Sequence, residues 1–345
     1  MKCLNGFNKT ITLSISLFLI MFALTGCGNA GAGPSGGDTA KSTAGKPEKA
    51  DIKIGLPLRG ATFLPIYLAD QKGFFKEEGL NVSIAEFKGD AGVIQALAGN
   101  SVDINVASLT GIVNSIKSNQ QFAAFWGGFN QAPFDWYSPN MKSMKDIKGK
   151  RFGVSTYGSL TDALTRYAVR QAGLDPEKDV QILQVGGSAN ALAAMQSGQI
   201  DASTLDNPYK FMAADKGWNL LLSERKDLTP TWPQHVVYAN KDFIKKNPET
   251  IKAFLRAMVK GVDDMEKNPQ EAAKVLADTL QFDEKYASKA LEDMMPGFDK
   301  KGKIDPKGIE FFWKITVAMG DADKAWPDDQ WLDNTFLNSA DQWLK

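Results

Sequence analysis

Apolar and polar positions alternate along this chain in two periods, and each change of period marks an element. Ile52 and Ile54 flank Lys53 and open a strand. Leu64 to Gln71 reads as a helix, stopped at Gly73. Val82, Ile84 and Phe87 form a second strand, with a slip of register expected near Ala85. Asp90 then stands where it can cap a helix carrying Val93, Ile94 and Leu97, which ends at Gly99-Asn100. Val102, Ile104 and Val106 alternate strictly as a third strand, and Ser108 can cap the helix holding Ile112, Val113 and Ile116. Strand, helix and strand at these intervals imply right-handed βαβ units and a mostly parallel sheet.

The same grammar restarts after a polar, Lys-rich loop over 138–149. Phe152-Gly153-Val154 begins a strand, and Ser159 or Thr161 starts a helix containing Leu160, Leu164, Tyr167 and Ala168. A strand over 180–185, a helix over 189–196 and a strand over 200–205 follow. Val236-Val237-Tyr238 reads as a returning strand. Beyond Pro248 the pattern is helical alone, with Ile251, Phe254, Leu255, Met258, Val259 and Val262 on one face. Asn268-Pro269, Pro296 and Pro306 punctuate further helices. This order predicts an α/β protein of two lobes. Residues 51–138 form the first part of lobe 1, 139–240 form lobe 2, and 241–345 return to lobe 1 as C-terminal helices. Two crossings, with hinges near 131–140 and 239–241, leave a cleft where the carboxyl ends of the strands face each other, the usual place for a ligand in open α/β sheets.

The N-terminus changes the setting. Lys2 and Lys9 precede or border the mostly apolar run 11–24, a length that suits an export signal and is short for a membrane span. The run ends in Leu24-Thr25-Gly26-Cys27, which resembles a bacterial lipoprotein box. Residues 1–26 are therefore expected to be a lipoprotein signal peptide, with Cys27 as the lipidated first residue of an extracytoplasmic protein. Residues 27–50, rich in Gly, Ala, Ser, Thr, Lys and Pro, read as a flexible tether between anchor and domain.

Composition then removes function classes. The whole chain has 40 basic and 40 acidic residues, and loss of Lys2 and Lys9 leaves 38 basic against 40 acidic. That near-neutral balance gives no reason to expect a nucleic-acid partner. The cysteines are Cys3, in the leader, and Cys27, and the single histidine is His235. No thiolate nucleophile, disulfide or multi-histidine metal site can be built from that set, and no cofactor is expected. No G-x-S-x-G or phosphate-loop pattern is present.

Five stretches carry a family resemblance: 64–82 (LPIYLADQKGFFKEEGLNV), 95–104 (QALAGNSVDI), 145–154 (KDIKGKRFGV), 195–202 (MQSGQIDA) and 247–254 (NPETIKAF). In this order they resemble the nitrate/sulfonate/taurine-type ABC transporter solute-binding proteins, a group that also holds binders of the thiamine pyrimidine precursor. The resemblance implies a type II periplasmic-binding-protein fold, a small-molecule ligand, and an ABC permease and ATPase as partners, with the chain itself acting as a monomer.

Candidate ligand contacts follow from helix starts and from aromatic residues near the crossings. Helices are expected to begin after Gly60-Ala61-Thr62, at Gly89-Asp90, Ser108, Tyr157-Gly158-Ser159 and Gly187-Ser188, and unpaired N–H groups there suit a sulfonate, carboxylate or nitrate. The candidates at these starts are Thr62, Phe63, Asp90, Ser108, Tyr157, Gly158, Ser159 and Ser188; by resemblance Ser108 and 157–159 are the stronger ones. Arg59 can fork onto an anion. Asp90 would repel one if it faced the cleft, and as a helix cap it would not. Asp206, at a strand end, can hold an amine or a ring N–H, or cap the helix near Pro208. Trp126, Phe129 and Trp232 are placed on loops near the crossing, where rings would favour an organic ligand over nitrate. The expected ligand is thus a small sulfonate- or carboxylate-bearing anion, the alternative a pyrimidine-type heterocycle. A ligand-presenting sensor module and an enzyme on the same fold are the competing roles.

Overall fold

The computed structural model describes residues 45–344. The expected leader, Cys27 and most of the tether lie outside the described residues. Two five-stranded sheets organise the chain. Their strands are β1 (Asp51–Leu56), β2 (Asn81–Glu86), β3 (Ile104–Ala107), β4 (Phe122–Gln131), β5 (Asp135–Ser138), β6 (Arg151–Val154), β7 (Gln181–Gln184), β8 (Ala202–Leu205), β9 (Asn219–Ser223) and β10 (Thr231–Asn240).

The first sheet has the order β2-β1-β3-β10-β4 and the second β7-β6-β8-β5-β9. In each, three strands are parallel and belong to βαβ units. In each, the fourth strand is antiparallel: β10 pairs with β3 and β4, and β5 with β8 and β9. The two lobes are thus built to one plan, and the chain returns once, with β10, to complete the first sheet. This moves the boundaries read from the sequence. Strand β5 belongs to the second sheet and β10 to the first, so the crossings are 132–134 and 224–230, the second containing the irregular turn Glu224–Leu228.

Helices cover both faces of each sheet, as parallel strands require. Ile52, Ile54, Ile104 and Val106 pack on Ile66 and Tyr67 from the helix Leu64–Gln71 and on Ile251 and Phe254 from the helix Pro248–Lys267. In the second lobe Phe152 meets Leu164, Ala168 and Val180 on one face, while Leu192, Met195 and Ala213 cover the other. Three details correct the sequence reading. Strand β2 pairs with β1 in unbroken register, and the irregular polarity at Ala85 reflects its place at the sheet edge. The segment around Trp126 and Phe129 is the strand β4, not a loop. The last part of the tether is pinned: Glu48 accepts hydrogen bonds from the backbone N–H groups of Glu249 and Thr250 at 3.1 and 2.9 Å, supplying a carboxylate to a 20-residue helix that lacks a side-chain cap of its own.

Candidate functional site

The carboxyl ends of β1, β2 and β3 face those of β6, β7 and β8, and the loops beyond them touch. Asn114 Nδ2 of the first lobe donates to Gly158 O of the second at 3.3 Å. Asp90, the first residue of the helix Asp90–Ala98, accepts the Ser108 hydroxyl at 2.8 Å and a hydrogen bond from the Leu160 backbone across the divide. Burial raises the Asp90 carboxyl above its ordinary range, and the hydrogen bonds from Ser108 and Leu160 work against that rise. Gly89, at φ +136°, lies so close to Thr156 that a Cβ there would come within 2.5 Å of Thr156 Cγ2. The lobes therefore stand closed on each other.

Between them lies a cavity of about 430 Å³. Leu58, Arg59 and Lys88 line it from the first lobe, and Thr156, Ser188 and Asn190 from the second. Arg59 is half-exposed and donates from Nε to Glu86 at 2.8 Å. Opposite it, the helix Ser188–Gln196 begins at the cavity wall with no side-chain cap on its free N–H groups. Ser188 Oγ accepts the backbone N–H of Asp206 at 3.2 Å. Asp206 is buried behind it, and burial pushes its carboxyl up to about 6.

Of the residues singled out from the sequence, Arg59 and Ser188 meet at this cavity with Asp206 behind them. Asp90 and Ser108 come together with the backbone next to Ser159 in the closed seam, so Asp90 neither caps its helix by side chain nor faces the cavity wall. Ser108 and Ser159 cap the helices Leu109–Lys117 and Leu160–Gln171, accepting from Gly111 and Asp162. Gly158 carries φ +72° in the turn before that cap. Tyr157 is 52% exposed, and its hydroxyl donates to Ile182 O at 3.2 Å along the rim. Thr62 is buried in the short turn Ala61–Phe63, and Phe63 stacks on His235 with ring centroids 4.4 Å apart. Burial lowers the His235 imidazole to about 3, so it is neutral.

The aromatic placement is corrected. Trp126 packs against Trp343, Phe129 against Phe298, and Trp232 against Phe311 and Phe312, all three in the interior and none on a cleft loop. Sequence reasoning missed Lys88, Thr156 and Asn190 in the cavity, which lie one or two residues from positions it did select. It also missed Glu224 at the second crossing. Glu224 Oε2 accepts the Phe134 N–H at 3.1 Å while its own N–H donates to Phe134 O at 2.9 Å, tying the two crossings together. Desolvation, only partly offset by the Phe134 bond, pushes this carboxyl up to about 8.

Two like-built α/β lobes, two crossings and a cavity between facing strand ends define a type II periplasmic-binding-protein fold. Residues 61–272 match the family described as NMT1/THI5 like, and the chain belongs to that family. A solved protein of Bordetella bronchiseptica RB50 is 28% identical with a TM-score of 0.77, over 86% of this chain and 99% of that one. The bicarbonate-binding protein CmpA of Synechococcus sp. is 27% identical over 309 residues, 77% of this chain and 66% of CmpA. The periplasmic aliphatic sulphonate binding protein SsuA of Escherichia coli has the same fold, at TM-score 0.65 and 18% identity, over 83% of this chain and 93% of SsuA. Among the described residues no helix is long and apolar enough to cross a membrane, and no cluster of metal-ligating side chains is present.

Proposed function

We propose that this chain is the solute-capturing subunit of an ABC-type importer. It is held outside the cytosol through lipid on Cys27, hands its ligand to a permease and ATPase, and acts by binding without chemistry. The ligand is a small organic anion with a sulfonate or carboxylate group. The observation that carries this reading is the interlobe cavity, lined by Arg59 and Lys88 from one lobe and by the amino end of the helix Ser188–Gln196 from the other. Cation and helix terminus each favour negative charge, and only the closed arrangement offers both to one group. The bicarbonate binder among the relatives supports a role in anion capture.

A second reading, a pyrimidine-type heterocycle, is favoured by different atoms. Among the described residues Asn207 Oδ1 is buried without a hydrogen-bond partner, and Asp206 adjoins it in sequence. Ring N–H groups would satisfy such acceptors. A thermal-shift panel of sulfonates, carboxylates, nitrate and pyrimidines separates the two, since a ligand specific to the folded state raises the melting temperature. The anion reading expects a shift with sulfonates or carboxylates that shrinks in Arg59→Ala and Lys88→Ala. A shift from pyrimidines alone, untouched by those substitutions, transfers the function to the second reading.

A further inference from the structure

The helix Glu284–Met294 belongs to the first lobe by its packing: Ala287, Ala290, Leu291 and Met294 share one apolar cluster with Leu64 and Leu68. Its polar side nonetheless reaches second-lobe groups. Asp293 Oδ2 accepts from Lys210 Nζ at 2.8 Å and from Asn207 Nδ2 at 2.8 Å, both just beyond β8. Arg225, in the second crossing, forks onto the same carboxylate at 2.9 and 3.2 Å. Its Nε donates at 3.4 Å to Ala132 O, in the first crossing. Further along the helix, the Tyr286 hydroxyl donates at 2.9 Å to Asp215, which ends the second-lobe helix Tyr209–Asp215. One carboxylate thus gathers a first-lobe helix, two second-lobe side chains and, through Arg225, both crossings.

We propose that Asp293 is a positioning residue for solute capture: by holding Lys210, Asn207 and Arg225 together it sets the fraction of ligand-free protein whose lobes are closed. Lys210 is only 6% exposed, so its ammonium depends on this partner. Burial would raise the Asp293 carboxyl, yet Lys210, Asn207 and Arg225 outweigh that and hold it down to about 2. Opening about the crossings has two routes, and this hub opposes both. If the helix stays with the first lobe, Asp293 leaves Lys210, whose buried ammonium loses its partner. If the helix follows the second lobe, its alanines leave the cluster around Leu64 and Leu68. The proposal rests on reading the cleft as one that closes, but not on which solute it takes.

Hydrogen exchange of the full chain without added solute tests it, because opening uncovers amides at the cleft lips, 87–90 and 155–160. Asp293→Asn is expected to speed exchange at both lips by about tenfold while β1 and β6 keep their protection. Tyr286→Phe, a mild surface change, should act in the same direction by a smaller factor, and Asp293→Glu should recover part of the loss. Faster exchange confined to 284–294 and 205–210, with both lips unchanged, overturns the proposal. If Asp293→Asn loses protection in both sheets, it has unfolded and Tyr286→Phe decides: lips unchanged there overturns the proposal too. Lips that exchange fast in the unaltered protein and in every variant alike refute the closing cleft itself.

Discussion

Gly89 is the position where a single methyl group should report on closure. A Cβ there would lie 2.5 Å from Thr156 Cγ2 and 2.6 Å from Thr156 Oγ1, atoms of the opposite lobe. Ordinary carbon contacts begin near ~3.5 Å, so the lobes must part by roughly 1 Å at this seam. Forced overpacking of this kind costs about 1–3 kcal/mol. That cost falls on the closed form alone, so Gly89→Ala should lower solute affinity by about 5- to 150-fold. The strain of an alanine at φ +136° is present in open and closed forms alike. It should appear as a lower melting temperature and cancel out of the affinity. The assay is titration calorimetry with a solute recovered from the thermal-shift panel, run as a double-mutant cycle with Thr156→Gly. That second substitution removes Cβ, Oγ1 and Cγ2, the three atoms the methyl would meet. Affinity should return towards that of Thr156→Gly alone. An unchanged affinity in Gly89→Ala, or a loss that Thr156→Gly does not relieve, refutes the closed seam.

Two further outcomes follow from buried groups. Glu224 has its folded-state value raised to about 8, so it holds a proton in the native state that the unfolded chain has already released. Its contribution to stability is complete below the ordinary carboxylate range and is lost as pH rises towards 8. His235, lowered to about 3, acts oppositely and removes stability as pH falls below the ordinary imidazole range. The two nearly cancel between pH ~4.5 and ~6.5, leaving a decline from ~6.5 to ~8 that Glu224→Gln should flatten in a melting-temperature series; a decline that survives that substitution rejects the assignment. Trp232→Ala, deep among Phe311 and Phe312, should cost about 3–5 kcal/mol in denaturant unfolding and leave solute affinity unchanged; a large affinity loss would return this ring to the cleft.

Helix starts were the most legible part of the site. Ser108 caps the helix it was expected to cap, and Ser159, one of the two starts expected with Thr161, caps the next, because an N-cap needs one short polar side chain and the apolar run that follows announces the helix. Strand β4 was hidden for the converse reason. Its residues are buried on both faces over most of its length, so alternation is lost, and Gly127-Gly128 imitates a turn. Those glycines serve close approach instead: Gly127 N–H donates to Gly302 O at 2.7 Å, and Gly128 lies against the His235 backbone. Strand β5 is four residues long and pairs only with strands far ahead of it in sequence, which no local pattern announces. Asp293 is beyond local reading altogether, since its partners at 207, 210 and 225 are separated from it by more than 60 residues.

The returning strand β10 also sets a timetable. The second sheet is assembled from one continuous stretch, β5 through β9, and can complete itself as soon as residue 223 is available. The first sheet cannot: β10 lies between β3 and β4, so those two strands share no partner until residues 231–240 arrive. A chain threaded through a membrane from its amino end would therefore emerge with its earlier half still unfinished, waiting on its later half. In refolding sampled by brief proteolysis, the stretch 135–223 should become resistant before 51–131, and the opposite order would show that the first lobe finds another way to shelter its open strands.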